Sequence, residues 1–545
     1  MKIKLPLLIS LLSLLSPACA YAVGAKSGLL TTRQPDGSPL HIELRGNEFG
    51  HIAYSVDGYP LTSDADGFYV FADIDTEGRL AASNLRASDP EARNSETQLR
   101  LERLKSSDIE AAILQSNQSR RLAKKNLPGL MSASFPLEGE QRALVILVEF
   151  ADNAFSVDNP NDYFSRMLNE SGFSDNGATG SARDYFIDNS CGKFSPQFDV
   201  YGPVKLPNDM KYYGANDRWG NDTNPQEMAI HACQALEEEV SFSLYDANSD
   251  GIIDNVFIYY AGYGEADGGG ANTIWPHSTR LSLFSNRKYI FDGVQLDRYA
   301  CTNELMMQPE RDRTDGIGTF CHEFSHVLGL PDLYATSTIN LSTPGIWDVM
   351  DNGSYNNLGM TPPALSSFER SALGWLEPTL LRYSDCILEP LLLSNKAFFY
   401  ANEKGNEFFL FENRQQQGWD SYLPGHGMLI WHIDFNSAVW NSNTVNDNIW
   451  HQHVDLVEAD NLSGIESRAG DAFPGPKNVT EFSRYTSPSF SFWNYSEEIQ
   501  LSLRKIRESE EGNISFSVLP LSFVDDEEDE PEEVEPPAPG IFIAD

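Results

Sequence analysis

The stretch TFCHEFSHVLGLPDLY, residues 319–334, constrains this chain more than any other. His322 and His326 are four residues apart. On a helix that spacing stands both imidazoles on one face, one turn apart, able to grip a single ion. Glu323 projects beside them, placed to act on water at that ion. Phe320, Phe324, Val327 and Leu328 recur at i, i+4, i+7 and i+8, an apolar stripe that lets the helix bury one side and present the histidines on the other. Gly329 suits the left-handed conformation that ends a helix, and Pro331 prevents its resumption. The reversal can return Asp332 toward the imidazoles as a third ligand. Two imidazoles, one carboxylate and an open position describe a catalytic zinc site rather than a closed structural one. The opposing reading is a buried helix with two incidental histidines. A bare H-E-x-x-H arises by chance in roughly one chain of this size in a hundred. Requiring the glycine and aspartate at their offsets lowers that by about two further orders of magnitude.

The rest of the chain divides by pattern. Residues 1–22 have a basic start, an apolar run and small residues before position 22, which reads as a secretory signal peptide. Ser16-Pro17-Ala18 is a poor lead-in for lipid on Cys19. Residues 23–126 begin with runs such as LHIEL and GFYVFADI, punctuated by Asp36-Gly37, Asp57-Gly58, Asp66-Gly67 and Glu77-Gly78. That predicts a β-meander, followed by a helical stretch and a basic linker, SRRLAKKNLPG. Over 140–380, the buried-strand runs RALVILVEF and DNVFIYYAGYG alternate with helical patterns such as NPQEMAIHACQALEEEV. An α/β domain is expected there. Over 381–520 the pattern is strand-rich, with hairpin signals in AFFYANEKGNEFFLFENR. Residues 521–545 are acidic and proline-rich, with too few apolar side chains for a core. Lys plus Arg is 39 and Asp plus Glu is 79, a net charge of −40. Such a balance repels nucleic acid and anionic membranes, and no later run is long enough for a stable membrane span. An exported protein is expected. The oligomeric state is not legible. Cys191, Cys233, Cys301, Cys321 and Cys386 are widely spaced and odd in number, leaving room for one or two bridges but not a disulfide scaffold.

Downstream of the helix, PGIWDVMDNGSY places Met350 in a turn-rich stretch. A methionine turn there would form an apolar floor beneath the metal. With it, H-E-x-x-H-x-x-G-L-P-D-L-Y, W-D-V-M-D-N-G-S-Y, P-P-A-L-S-S-F-E-R and L-G-W together resemble the immune inhibitor A-like family of secreted zinc metallopeptidases. ARDYFIDNSCGKFSPQFDVYGPVKLP, VFIYYAGYGEADGGGANTIWPHS and FENRQQQGWDSYLPGHGMLIWHID resemble further blocks of that family, so the resemblance covers about 142–434. It implies an α/β zincin-like (metzincin-like) catalytic domain, an N-terminal β-rich propeptide-like domain and a β-rich C-terminal region. It also implies zinc on His322, His326 and Asp332, Glu323 as the catalytic residue, and protein or peptide substrates. Ala335 departs from relatives that carry a second acidic residue there. Tyr355 and His277 are the available partners for an oxyanion.

Two further expectations come from the residues. DANSDGIIDN places oxygen side chains at Asp246, Asn248, Asp250 and Asp254, with Gly251 at the sharp turn and the Ile252 carbonyl in reach. That is a calcium-loop pattern, although Phe257 at the twelfth position excludes a full EF-hand. A secreted protease must also be kept quiet during export, and no cysteine lies between Cys19 and Cys191 to plug the zinc. Residues 23–126 are therefore expected to cover the cleft in a zymogen, with cleavage near Arg120-Arg121 or Lys124-Lys125 releasing activity. The rival class is an exported binding protein, which would use the aromatic stretch WHIDFNSAVWNSNTVNDNIWHQH and has no use for Glu323.

Overall fold

The computed structural model describes residues 29–101 and 135–521, apart from 35, 37, 48–49, 65–67, 75–79, 216–221, 265–271, 307–312, 336–342, 449 and 494–496. The signal segment, the basic linker and the acidic tail lie outside the described residues. The chain forms two compact units, Met1–Asn126 and Leu127–Asp545. Among the described residues no helix is long and apolar enough to cross a membrane.

The first unit is an antiparallel meander of six strands in sequence order: β1 (Leu29–Arg33), β2 (Pro39–Asn47), β3 (Gly50–Ser55), β4 (Pro60–Ser63), β5 (Tyr69–Ile74) and β6 (Leu80–Arg86). Asp57-Gly58 makes the turn between β3 and β4, where Gly58 takes a φ of 86°. Leu40, Ile42, Ala53, Leu61 and Phe71 build its small core.

The second unit is organised on a mixed sheet of order β10-β13-β9-β7-β8. β7 (Gly139–Glu149), β8 (Phe194–Lys205), β9 (Val256–Tyr263) and β13 (Arg298–Met306) run parallel. β10 (His277–Arg280) closes one edge antiparallel to β13, and the short β14 (Arg313–Thr314) also pairs β13. β7 and β9 carry continuous apolar runs because both of their faces are covered. Leu144, Ile146 and Val148 of β7 face a core shared with Met228, Ala229 and Cys233 of the helix Pro225–Ala235. Phe257 and Tyr259 of β9 face the other way and meet Phe320 of the helix Gly318–Val327, with ring centroids 4.3 and 5.8 Å apart. A two-stranded ribbon, β11 (Tyr289–Phe291) with β12 (Val294–Leu296), precedes β13.

Beyond residue 378 the unit is β-rich. One sheet has the order β15 (Thr379–Leu380), β17 (Phe398–Ala401), β18 (Glu407–Arg414), β19 (Gly427–Asp434) and β20 (Val454–Leu456). A second joins β16 (Ser384–Leu388), β22 (Ile514–Pro520) and β21 (Leu501–Glu508). Phe409, Phe411, Ile430, Phe490, Leu503 and Phe516 are among the residues of the core between them. All five described cysteines are unpaired, so the room left for a bridge is not used.

Candidate active site

The helix Gly318–Val327 is held by its aromatic stripe. Phe320 and Phe324 stack at 5.8 Å and are fully buried, against Phe198 and, for Phe324, Phe186. Burying each phenyl ring stabilises the docked helix by roughly 1.5–3 kcal/mol. Leu328 completes the buried stripe, whereas Val327 is only half-buried and lines the cleft. At the other end Gly318 packs so closely on the Met350 segment that a Cβ would lie 1.8 Å from the Ser354 carbonyl oxygen. Gly329 has a φ of 103°, and its N–H bonds the His326 carbonyl while the Leu330 N–H bonds that of Ser325. This pair of bonds is a Schellman stop. It returns the Leu330 carbonyl to His326, whose Nδ1 donates to it at 2.8 Å. His322 Nδ1 donates to the Val349 carbonyl, also at 2.8 Å.

Both Nδ1 atoms are thus committed as donors, so each neutral imidazole carries its lone pair on Nε2. The two Nε2 atoms point at one oxygen, Asp332 Oδ1, at 3.1 and 3.2 Å. Tetrahedral zinc with bonds of about 2.0–2.1 Å separates its ligand atoms by roughly 3.3 Å. Three lone pairs converging at that spacing repel unless a cation or protons lie between them. The electrostatics agree. Burial works against charge on His322, but the Asp332 hydrogen bond and Glu323 outweigh it and carry its pKa up to about 9. His326 is raised in the same way, against its own burial, by Asp332. Burial also opposes charge on Asp332, yet the two histidines hold its carboxyl well below the usual range. The pocket therefore favours positive charge where these atoms meet, and the donor set fits zinc.

Glu323 is buried beside them, with Oε2 lacking any hydrogen-bond partner. Burial raises its pKa, and the histidine charges moderate the rise. A carboxylate whose proton affinity is lifted in this way is suited to general-base work. Met350 is fully buried, and its carbonyl accepts the Leu333 N–H at 2.9 Å, fastening the turn to the segment that carries Asp332. His322, Glu323, His326 and Asp332 line a cleft of about 850 Å³ together with Tyr355, which is 40% exposed, and strand β10. His277 lines it too, but its Nδ1 donates to the Trp275 carbonyl at 2.6 Å and its Nε2 accepts from the Tyr299 hydroxyl at 2.8 Å. Burial lowers its pKa. Neutral His277 therefore has no N–H left for an oxyanion.

Two cleft residues escaped the sequence reading. Tyr334 stacks on His322 at 6.3 Å, and burial together with Asp332 keeps its phenol protonated. Its signal was present, two positions beyond Asp332 in an extended run. Asn443 had none. It follows the helix Ser437–Asn441, donates from Nδ2 to Asp332 Oδ2 at 2.5 Å, and accepts the Asp332 N–H on Oδ1 at 2.8 Å. The β-rich region thus holds Asp332 in place.

The acidic loop lies before β9. Asp246 accepts from the Asp250 and Gly251 N–H groups, and Asp250 from that of Ile252. Asn248 also accepts from the Asp250 N–H. Asp254 Oδ2 accepts from Ala247 at 2.9 Å, while its buried Oδ1 has no partner. Burial, with Asp246 and Asp250 adding to it, lifts Asp254 to about 6.

A mixed α/β domain with this ligand cluster in its cleft is a metallopeptidase fold. Residues 137–376 match the model of the immune inhibitor A peptidase M6 catalytic domain. That match spans 240 of the 545 residues and includes the helix Gly318–Val327 and Asp332. The chain is 30% identical over 237 residues to the pre-pro-metalloprotease PrtV of Vibrio cholerae serotype O1, covering 37% of this chain and 25% of the relative. It is 26% identical over 271 residues to immune inhibitor A of Bacillus thuringiensis subsp. alesti, covering 42% of this chain and 38% of that protein. The chain therefore spans between a quarter and two fifths of the length of these relatives.

Proposed function

We propose that this chain is a secreted zinc-dependent endopeptidase of metzincin-like type. The observation that carries the reading is the convergence of His322 Nε2, His326 Nε2 and Asp332 Oδ1 beside the unpartnered Glu323 carboxylate in an open cleft. Zinc held by those three atoms would lower the pKa of a water and polarise a scissile carbonyl. The protein's own residues do the rest. Glu323 accepts the proton of the attacking water and passes it to the leaving amine. Among the described residues β10 has no strand partner on its outer edge, and it lines the cleft, so an extended substrate backbone can add to it as a further strand. Tyr355 and Tyr334 are phenolic donors lining the same cleft. Asn443 positions Asp332. Asn443→Ala is expected to weaken zinc binding about 10–100-fold, read by competition with a chelator, because both of its bonds orient a metal ligand.

In the same reading, residues 1–22 direct export and 23–126 form a propeptide-like domain with its cleavable linker. Residues 140–380 are catalytic, and 381–520 brace the site. A calcium ion at Asp246, Asn248, Asp250 and Asp254 stabilises the loop before β9. The pre-pro naming of PrtV supports the processing scheme. One metal experiment tests the assignment. Chelation should abolish casein cleavage, zinc alone should restore it, and calcium alone should raise the melting temperature without restoring cleavage. Cleavage that survives complete zinc removal would reject the proposal.

A further inference from the structure

A second cluster of ligating side chains lies away from the cleft, in the β-rich sheet. β19 ends at Asp434, the chain makes an excursion, and it returns through His451 and His453 into β20. The register Ile433↔Val454 sets Asp434 opposite His453, and the Asp434 N–H bonds the His453 carbonyl at 3.0 Å. His451 lies two residues before His453. His451 Nε2 lies 2.8 Å from Asp434 Oδ2. One ring nitrogen from each histidine and one carboxylate oxygen of Asp434 fall within 4.8 Å of one another. The rings stack at 4.9 Å, and Trp493 covers His451 at 4.6 Å. His453 Nδ1 donates to the Asp434 carbonyl at 2.5 Å and lies 3.8 Å from Asp434 Oδ2, so in the neutral ring the lone pair open to an ion is on Nε2. A solvent-open cavity of about 330 Å³, lined by Asp434, His451, Glu407 and Trp493, gives an ion its way in.

We infer that Asp434, His451 and His453 form a second metal site, for zinc or a related divalent transition metal. Two imidazoles and one carboxylate suit such an ion, whereas calcium and magnesium take oxygen ligands. The site closes the stem of the excursion whose interior reaches the active site. Asn446 Oδ1 accepts the His453 N–H at 3.1 Å, and its Nδ2 donates to the Leu333 carbonyl at 2.8 Å, next to Asp332. Asn443 lies on the same excursion. An ion at the stem braces the loop that holds Asp332; this consequence, unlike the site itself, rests on the catalytic reading above.

The test is zinc content of the full, tag-free chain after equilibration with micromolar free zinc and desalting. The wild type should hold roughly two zinc ions, and His322→Ala/His326→Ala and His451→Ala/His453→Ala roughly one each. If the latter variant does not fold, His451→Gln in the His322→Ala/His326→Ala background should weaken the retained ion at least about tenfold. A wild type holding one ion that His322→Ala/His326→Ala removes would overturn the proposal, leaving His451 and Asp434 as a simple ion pair. One ion kept by His322→Ala/His326→Ala and lost from His451→Ala/His453→Ala would sustain it while defeating the catalytic assignment.

Discussion

Glu323→Gln is expected to lower kcat on casein by about 10³–10⁴-fold, equivalent to roughly 4–5.5 kcal/mol of barrier, while zinc content stays at the wild-type level. Glutamine keeps the size of the side chain and removes the basic oxygen. The substitution should spare the ligand set, because His322 and His326 are oriented by the Val349 and Leu330 carbonyls and Asp332 by Asn443. None of those bonds passes through Glu323. Replacing a histidine would remove both ion and activity and so could not separate holding the metal from doing the chemistry. The measurement pairs peptide release with metal analysis on the same preparation. Cleavage within tenfold of wild type would remove Glu323 from the mechanism. Loss of zinc alongside activity would make it a structural partner of the ligands instead.

The helix and its stop were legible because every determinant lies within a few residues. The histidine spacing, the two phenylalanines, Gly329 and Pro331 are local statements about one helix and its end. The buried strands β7 and β9 were legible for a similar reason, as apolar runs with no polar alternation. Val327 shows where such reasoning blurs. Adjacent stripe positions at a helix end differ by one step of rotation, and here Leu328 is buried while Val327 faces the cleft. What remained hidden is long-range. Asn443 reaches Asp332 across 111 residues, and an asparagine in a loop carries no periodic mark. The edge strand β10 falls in WPHSTR, which has no strand signature of its own. His277 looked available by residue type alone; the Trp275 and Tyr299 bonds that occupy it appear only once β10 is laid against β13. The histidines at 451 and 453 stood out by composition, yet their meeting with Asp434 depends on the pairing of β19 with β20.

Arg414→Met is expected to destabilise the second unit by about 3–5 kcal/mol, seen as a lower urea midpoint or faster thermal inactivation. Arg414 sits on β18 with no solvent exposure. Its Nε donates to Asp420 at 2.7 Å, its guanidinium also reaches Glu412 at 3.2 Å, and Nη2 donates to the Ala364 carbonyl at 2.9 Å. Burial works against its charge, and Asp420 and Glu412 outweigh that cost and raise its pKa. Methionine would fill the space but leave both carboxylates buried beside Asp348 and Glu369. Burial already pushes both of those pKa values up, and Asp348 adds to the rise of Glu369. Arg414→Lys should recover only part of the loss, since an ammonium cannot span Asp420 with two parallel bonds. Removing the acids together with Arg414 would not restore stability either. Glu412 also accepts the Ser367 N–H, and Asp420 accepts that of Ala364 at 2.9 Å. Those two acceptors fasten the N-terminus of the helix Ser367–Ala372, just beyond the methionine turn, to the β-rich sheet. An apolar triple variant near wild-type stability would show that the cluster's backbone bonds contribute nothing.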